Sequence, residues 1–490
     1  MKWREPAAEG GEVAHPASKR PARTIRHTHE APALSGGQRV GTFDCPRSIL
    51  GLIITIRACG RSYRCATTLT MLYERWRQIV CDHRHELALR DLASGLTFTF
   101  GQLDEAVERT AAAPDTVLFP RGISADFVFT VLRAWRAGKV TCPLEAGQTP
   151  PDVSLLPSGS VHLKTTSATT DGPRLIAFTA GQLAADAENI VGTMGLRPDW
   201  PNLGVISLAH SYGFSNLITP LLLHGIPLIL ADSPLPEIVL QAATSVENMT
   251  LPAVPALWRA WHEAKAIPSN VRLAISAGAP LPLPLEQAVY ETIGIKLHNF
   301  YGASECGGIA YDASTRPRAD AACVGAPLRN VQLTVNEEGC LEVRSRAVGE
   351  NYWPTPGPGL SPGCYRTSDL AEMRDGMVFL RGRSSDLINV AGRKVSPESI
   401  ERVLLTHPAV RECLVFGAPS EETERSEIIV ACVAMKSGAA ADDLKQFLLA
   451  QLPAWQVPRQ WVLVKSLPAN QRGKLSRAEW RRRLLEGPAR

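Results

Sequence analysis

Eleven cysteines are scattered along 490 residues without a single Cys-x-x-Cys pair, and none is spaced against histidine as a zinc site requires. That absence, with the odd count, excludes a zinc module or a disulfide framework as the organising device. Reduced thiols of a cytoplasmic protein are the simplest expectation. Net charge is only +4, and no basic helix carries interleaved aromatics, so nucleic-acid binding is not indicated. Long apolar runs are missing too. The apolar stretch at residues 49–56 is too short to span a bilayer and too far from the start for a secretory signal, so no integral membrane segment is expected. An apolar content of 45% and a charged content of 20% are ordinary for a globular chain and discriminate nothing further.

A chain of this length exceeds one ordinary hydrophobic core and predicts a large domain with a smaller companion. Residues 1–70 differ from the rest: Ala, Pro, Gly, Arg and His dominate through Arg39, with no apolar period. They read as a disordered leader or a mis-assigned start, since Met71 opens an amphipathic segment at 72–80. From Glu86 onward short β-branched or apolar runs alternate with helical patterns. The expected strands lie at 97–100, 116–119, 140–144, 204–209, 227–231 and 272–276, and the helices at 101–112, 124–137, 180–189 and 217–224. This is an α/β chain whose large domain, 71–383, is built of βα layers around mainly parallel sheets. After Tyr301 short strands and turns take over, with a hairpin joining 331–335 to 340–344 and a Pro/Gly-rich surface loop at 354–363. A small mobile α+β domain is expected at 384–490. Its strands fall at 387–390, 410–417, 428–435 and 460–464, its helices at 396–406 and 441–451, the first opened by Ser-Pro-Glu-Ser.

Separated glycine and charge signatures stand out in a fixed order. Thr166-Ser-Ala-Thr-Thr-Asp-Gly-Pro-Arg174 is a hydroxyl-rich turn before a helical segment, and such turns offer N–H and hydroxyl donors to phosphate oxygens. Tyr301-Gly-Ala-Ser-Glu305, Tyr365-Arg-Thr-Ser-Asp369, residues 382–388 and Gly473-Lys-Leu-Ser-Arg477 follow. Each alone is commonplace: an acid at a strand end, a solvated arginine, one more cation in a basic tail. The information lies in their order.

Taken together they resemble the adenylate-forming, or AMP-binding, superfamily, which contains acyl-CoA synthetases, the adenylation domains of peptide synthetases and firefly luciferase. The resemblance runs from about Leu89 to Arg477. It implies an ATP-dependent acid–thiol ligase that joins a carboxylate to AMP and then passes the acyl group to CoA. By the same resemblance Thr166, Ser167, Thr169, Thr170 and Gly172 cradle the β- and γ-phosphates, with Arg174 where the family usually has lysine. Glu305 is the magnesium ligand, Ser304 occupies the usual threonine position, and Tyr301 and Gly302 line the adenine site. Gly278 and Ala279, in Ser276-Ala-Gly-Ala-Pro280, form the adenine-binding turn. Asp369 takes the ribose hydroxyls, Arg383 reaches the ribose or phosphate, and Lys474 bridges the carboxylate and the α-phosphate. His210, in His210-Ser-Tyr-Gly-Phe214, borders the acyl pocket; a core or surface histidine is an equal alternative. Ser385 marks the hinge of the mobile domain, and Gly392 with Arg393 lies on the loop that meets CoA or a phosphopantetheine arm. Cys306, next to Glu305, reads as a packing residue.

Ala168, Asp171 and Ser368 replace glycines of the family pattern. Two alternatives stand beside the CoA ligase: a stand-alone adenylation enzyme serving an acyl carrier protein, and, motivated by these three positions, a catalytically weak nucleotide-binding homologue.

Overall fold

The computed structural model describes residues 71–111, 115–153, 155–166, 174–420, 427–436, 440–467 and 476–486. The expected leader at 1–70 therefore lies outside the described residues, as do Ser167, Thr169, Thr170, Gly172 and Lys474. Helix Met71–His83 buries Leu72, Trp76 and Val80, spaced four apart and hence on one stripe, and turns its charged face outward. Burying an aliphatic side chain of this kind contributes about 1.5–3 kcal/mol.

Among the described residues a 14-stranded mixed sheet runs through the large domain. Its parallel part comprises Leu87–Asp91, Leu228–Leu230, Asn202–Gly204, Met249–Ala253, Val271–Ser276 and Leu297–Ala303. From Leu297–Ala303 it continues antiparallel through Gly307–Tyr311, Cys323–Pro327, Met377–Arg383, Cys364–Arg374, Cys340–Arg344 and Gln332–Val335. Met249–Ala253 is buried throughout and Val271–Ser276 at every residue but Arg272, as expected of strands covered on both faces. A second, five-stranded sheet contains Ser160–Thr165 and Leu175–Thr179, with Tyr352–Trp353 at its edge. Thr179 ends that sheet and caps helix Ala180–Met194 in a capping box with Gln182, and Gly195, at φ 67°, closes the helix.

Beyond Arg383 come hairpin Ile388–Val390/Arg393–Val395, helix Pro397–Leu404, and a three-stranded sheet of Val410–Pro419, Glu427–Met435 and Gln460–Val464. Helices Ala441–Leu449 and Arg477–Glu486 complete this region. Its apolar side chains form clusters of their own, around Ile400, Val433 and Leu444 and around Phe416 and Val430, distinct from the cluster that extends from Leu72 to Val378. Among the described residues no helix is long and apolar enough to cross a membrane.

Local differences from the sequence reading have local causes. The strand expected at 204–209 is Asn202–Gly204 instead. Ser207 Oγ takes the Ala209 N–H at 3.2 Å, and the chain turns into helix Ser211–Gly213, so a side chain has competed successfully with the ladder. The segment expected as one helix at 217–224 begins earlier, as a π-helical turn Phe214–Ile218 running into Thr219–His224. Within the Pro/Gly-rich loop, Leu360–Ser361 pairs with the strand beside it. Ser396 does not cap its helix through its hydroxyl, which donates to Glu398 Oε2 at 2.8 Å instead.

Candidate active site

The hairpin Leu297–Ala303/Gly307–Tyr311 presents Glu305 at its tip. Gly302 stands opposite Gly308, and a Cβ on Gly302 would meet the Gly307 carbonyl oxygen at 2.6 Å, so only glycine permits this close approach. Glu305 is half-buried at the turn, and the Cys306 side chain points into the core behind it. Burial, reinforced by Glu305 and Asp186, holds the Cys306 thiol well above its usual range, as suits a packing residue and not a nucleophile. Tyr352, from the neighbouring sheet edge, donates its hydroxyl to Glu305 Oε1 at 3.0 Å. The Arg174 guanidinium lies over the same tyrosine ring, 5.8 Å from its centroid. Tyr352 thus joins the first signature to the second. The ends of the phosphate turn are pinched together: Thr166 donates to the Arg174 carbonyl through its N–H at 2.8 Å and its hydroxyl at 3.2 Å.

A second constellation centres on Asp369. Strands Cys364–Arg374 and Met377–Arg383 are in antiparallel register that sets Asp369 opposite Arg383, and Arg383 Nε donates to Asp369 Oδ1 at 2.9 Å. Tyr301 donates its hydroxyl to Asp369 Oδ2 at 2.5 Å. Desolvation first, and the neighbouring Asp369 second, hold the Tyr301 phenol well above its usual range, so the tyrosine keeps its proton and serves as the donor. A carboxylate has about four lone-pair sites, so acceptor capacity remains for a vicinal diol beside these two donors. Ser368 is exposed, and its carbonyl accepts from Ser384 Oγ at 3.2 Å, so a side chain in place of the family glycine faces solvent. Gly382 is different. Its φ is +126°, and a Cβ would collide with Ser396 and Glu398, which lie against it.

Gly278 and Ala279 follow strand Val271–Ser276, the parallel neighbour of Leu297–Ala303, so the adenine turn and Tyr301 emerge at the same sheet end. Gly278 has φ +85°, in the region that favours glycine. The turn is fastened behind by Arg318, which donates to the Leu281 carbonyl at 2.8 Å and to Glu286 Oε2 at 2.8 Å. His210 Nε2 lies 3.0 Å from Glu145 Oε1, and Ser207 hydrogen-bonds the same oxygen. His210 is half-buried at the start of helix Ser211–Gly213, with its ring facing that carboxylate. Gly392 and Arg393 fall on hairpin Ile388–Val390/Arg393–Val395, whose turn residues Ala391 and Gly392 have φ of 50° and 80°. The Arg393 guanidinium lies 5.5 Å from the Trp455 ring centroid. Lys474 lies outside the described residues. Arg477, three residues on, is bound to Glu401, Glu398 and Asp386.

The sequence reading missed Tyr352, Asp186 and Glu145. Tyr352 carries no local signal, because its partner is 47 residues away. Asp186 did carry one: it interrupts the apolar stripe Leu183, Ala187, Ile190 of its helix.

Two family models match the chain: AMP-binding enzyme over residues 151–365 and AMP-binding enzyme C-terminal domain over residues 399–474. Among curated relatives, a mitochondrial malonate–CoA ligase of Xenopus laevis is 28% identical over 369 residues, covering 64% of this chain and 63% of its own. A 2-succinylbenzoate–CoA ligase of Geobacillus kaustophilus is 29% identical over 339 residues, covering 65% and 68%. The chain therefore spans less than two thirds of the length of the malonate–CoA ligase. Solved structures agree in fold. ATP-bound MatB from Rhodopseudomonas palustris aligns with TM-score 0.73 at 21% identity, over 84% of this chain and 98% of its own. The o-succinylbenzoate CoA synthetase of Bacillus subtilis, in complex with its acyl-adenylate intermediate, gives 0.72 at 20%, over 85% and 98%. With both family models in their proper order along the chain, and the acid, tyrosine and arginine signatures assembled on the matching fold, this protein is a member of the AMP-binding enzyme family.

Proposed function

We propose that the protein is an AMP-forming acid–thiol ligase, an acyl-CoA synthetase that activates a carboxylic acid with ATP and transfers the acyl group to CoA. The observation that carries this reading is Asp369 held between Tyr301 and Arg383 beside the sheet end that also presents Glu305. The relatives named above, CoA ligases for malonate and for 2-succinylbenzoate, support the same class.

In the first step a carboxylate oxygen of the acid attacks the α-phosphorus of ATP, the bond to the β-phosphate oxygen breaks, and pyrophosphate leaves. In the second the CoA sulfur, its proton given up, attacks the acyl carbon, and AMP leaves with the electron pair of the broken acyl–oxygen bond. The protein's task in both is to hold anions together and in line. Asp369 takes the ribose hydroxyls, Gly278, Ala279, Tyr301 and Gly302 receive the base, and Thr166, Ser167, Thr169, Thr170 and Gly172 surround the phosphates with Arg174 at the rim. Glu305 offers the hard carboxylate oxygens that Mg²⁺ prefers, with Tyr352 fixing its orientation, so the residues present fit this ion. When bound, Mg²⁺ offsets phosphate charge. Lys474 bridges the acid and the α-phosphate, and His210, held by Glu145, borders the acid. Gly392 and Arg393 meet the pantetheine thiol.

We assign 71–383 and 384–490 as the two bodies, with Ser385 as hinge; the separate apolar clusters on either side of it support this. A reducing, cytoplasmic setting suits the eight described cysteines, all of them free thiols. The test is pyrophosphate release from Mg-ATP by the 490-residue chain, across short, long, aromatic and dicarboxylic acids, with and without CoA. Acid-dependent release strengthened by CoA is expected. Release indifferent to CoA would favour an acyl carrier protein as acceptor, and ATP binding without release would favour a catalytically weak homologue.

A further inference from the structure

Behind the Glu305 turn lies a buried ion pair that the proposed chemistry does not use. The Lys164 and Asp186 side chains are each 4% exposed, with Nζ and Oδ2 4.0 Å apart. Two charges removed from water at that separation stabilise little unless each has further partners. Asp186 Oδ1 accepts the Gly308 N–H at 3.0 Å, and Oδ2 accepts the Ser215 hydroxyl at 2.6 Å. Gly307 has φ +72°, and a Cβ there would collide with the Asp186 carboxylate. Lys164 Nζ donates to Ser211 Oγ at 3.1 Å and sits 4.5 Å from the Phe178 ring centroid. Burial lowers the pKa of this lysine, while Asp186 foremost among its neighbours opposes that shift. One carboxylate therefore ties helix Ala180–Met194 both to the strand that leaves Glu305 and to the π-helical turn that follows His210.

We propose that Asp186 is a positioning residue for Glu305. By accepting the Gly308 N–H it fixes the 303–308 turn in the orientation that presents the Glu305 carboxylate to a magnesium–nucleotide, and Lys164, 4.0 Å away, helps hold the buried acceptor in place. Tyr352 holds the carboxylate directly, and Asp186 holds the backbone three residues on. This inference rests on the adenylating reading given above. It predicts a defect in metal affinity, whereas a purely structural pair predicts a defect in stability alone.

The test uses the 490-residue chain with two neutral double variants. Lys164→Met with Asp186→Asn removes both charges and leaves an amide oxygen to accept from Gly308. Lys164→Met with Asp186→Leu removes the acceptor as well. Fluorescence of an N-methylanthraniloyl ATP analogue, titrated with Mg²⁺, reads metal-dependent binding without turnover; the same titration in EDTA reads metal-free binding. The Leu variant is expected to raise the Mg²⁺ midpoint roughly 10–100-fold while metal-free binding moves less than about threefold, and the Asn variant is expected to recover most of the affinity. Equal midpoints in all three proteins, or an Asn variant as weak as the Leu one, would overturn the proposal. Should the Leu variant not fold, Asp186→Glu, which keeps the charge and displaces the acceptor by one methylene, must still raise the midpoint; an unchanged midpoint there overturns it equally. Wild-type protein that binds Mg-nucleotide but releases no pyrophosphate refutes the ligase reading alone, and the midpoints still decide the role of Asp186.

Discussion

Replacing Arg477 by methionine should loosen the C-terminal layer, and more so at alkaline than at acidic pH. The guanidinium reaches Glu401 at 2.8 Å, Glu398 at 2.9 Å and Asp386 at 3.2 Å, and Nε donates to the Val415 carbonyl at 3.0 Å. Glu401 is 13% exposed. Burial, with Glu398 adding to it, raises the Glu401 carboxyl to about 7 even though Arg477 pulls the other way. A folded-state pKa above the ordinary 4.5 means that the folded chain prefers the protonated acid. The corresponding stability is fully present below 4.5 and is lost as pH rises through 7, a difference of about 3 kcal/mol. Without the arginine, an ionised Glu401 at pH 8.5 has lost its cation in a largely dry site, and the expected destabilisation is about 3–5 kcal/mol. At pH 5.5 Glu401 is protonated in both proteins, and its share of the loss should shrink to about 1 kcal/mol, on the scale of an ordinary hydrogen bond, while the contacts to Glu398 and Asp386 are lost at either pH. Denaturant unfolding of wild type and Arg477→Met at the two pH values measures this directly. Equal losses at both, or none at either, would refute the charge argument.

Lys474→Ala is expected to cripple pyrophosphate release while sparing thioester formation from supplied acyl-adenylate; equal loss of both half-reactions would remove Lys474 from its role. Asp369→Asn gives up the charge that Tyr301 and Arg383 hold in place and should weaken ATP binding by about 1.5–3 kcal/mol, roughly 10–100-fold in Kd by calorimetry. Burial holds His162 and His298 well below or below the usual histidine range, in each case the leading cause. Their contribution is present above about pH 6.5 and is lost as pH falls, at up to about 1.4 kcal/mol per pH unit for each. His162→Phe, retaining the stack on Phe214, should flatten that acid limb in thermal unfolding. Gly382→Ala adds a Cβ at positive φ against Ser396 and Glu398, and should lower stability by more than about 1 kcal/mol.

Much of this was legible in the sequence because the chemistry is written in short, contiguous words. Tyr301, Glu305, Asp369 and Arg383 could be named from their motifs, and the fold brings Tyr301, Asp369 and Arg383 into direct contact. The alternating pattern before Tyr301 located strands Leu228–Leu230 and Val271–Ser276 to within a residue, whereas Leu87–Asp91, Met249–Ala253 and Leu297–Ala303, with polar residues among the apolar ones, were not read as strands. The supporting contacts were not legible. Tyr352 meets Glu305, and Arg259 meets Glu412 at 3.1 Å, through separations of 47 and 153 residues that no local pattern reports. The shortened strand at 202–204 failed for the opposite reason: Ser207 and Gly213 dictate a turn that apolar Ile206 and Leu208 conceal. Asp186 was readable in principle, as an acid within an apolar stripe, and Lys164 likewise within a strand buried on both faces.

The order of strands in the large sheet also constrains how the chain can fold. Leu87–Asp91 pairs in parallel with Leu228–Leu230, which in turn lies beside Asn202–Gly204. During synthesis the first strand therefore waits for a partner made some 140 residues later, about 7–28 s at 5–20 residues per second. Through that interval helices Phe100–Arg109 and Ala125–Arg136 can cover its apolar face, but among the described residues its hydrogen-bonding edges have only Thr97–Thr99 on one side. A nascent chain stopped short of Leu230 would carry an open parallel edge, the kind of surface that invites chaperones or pairing with another copy.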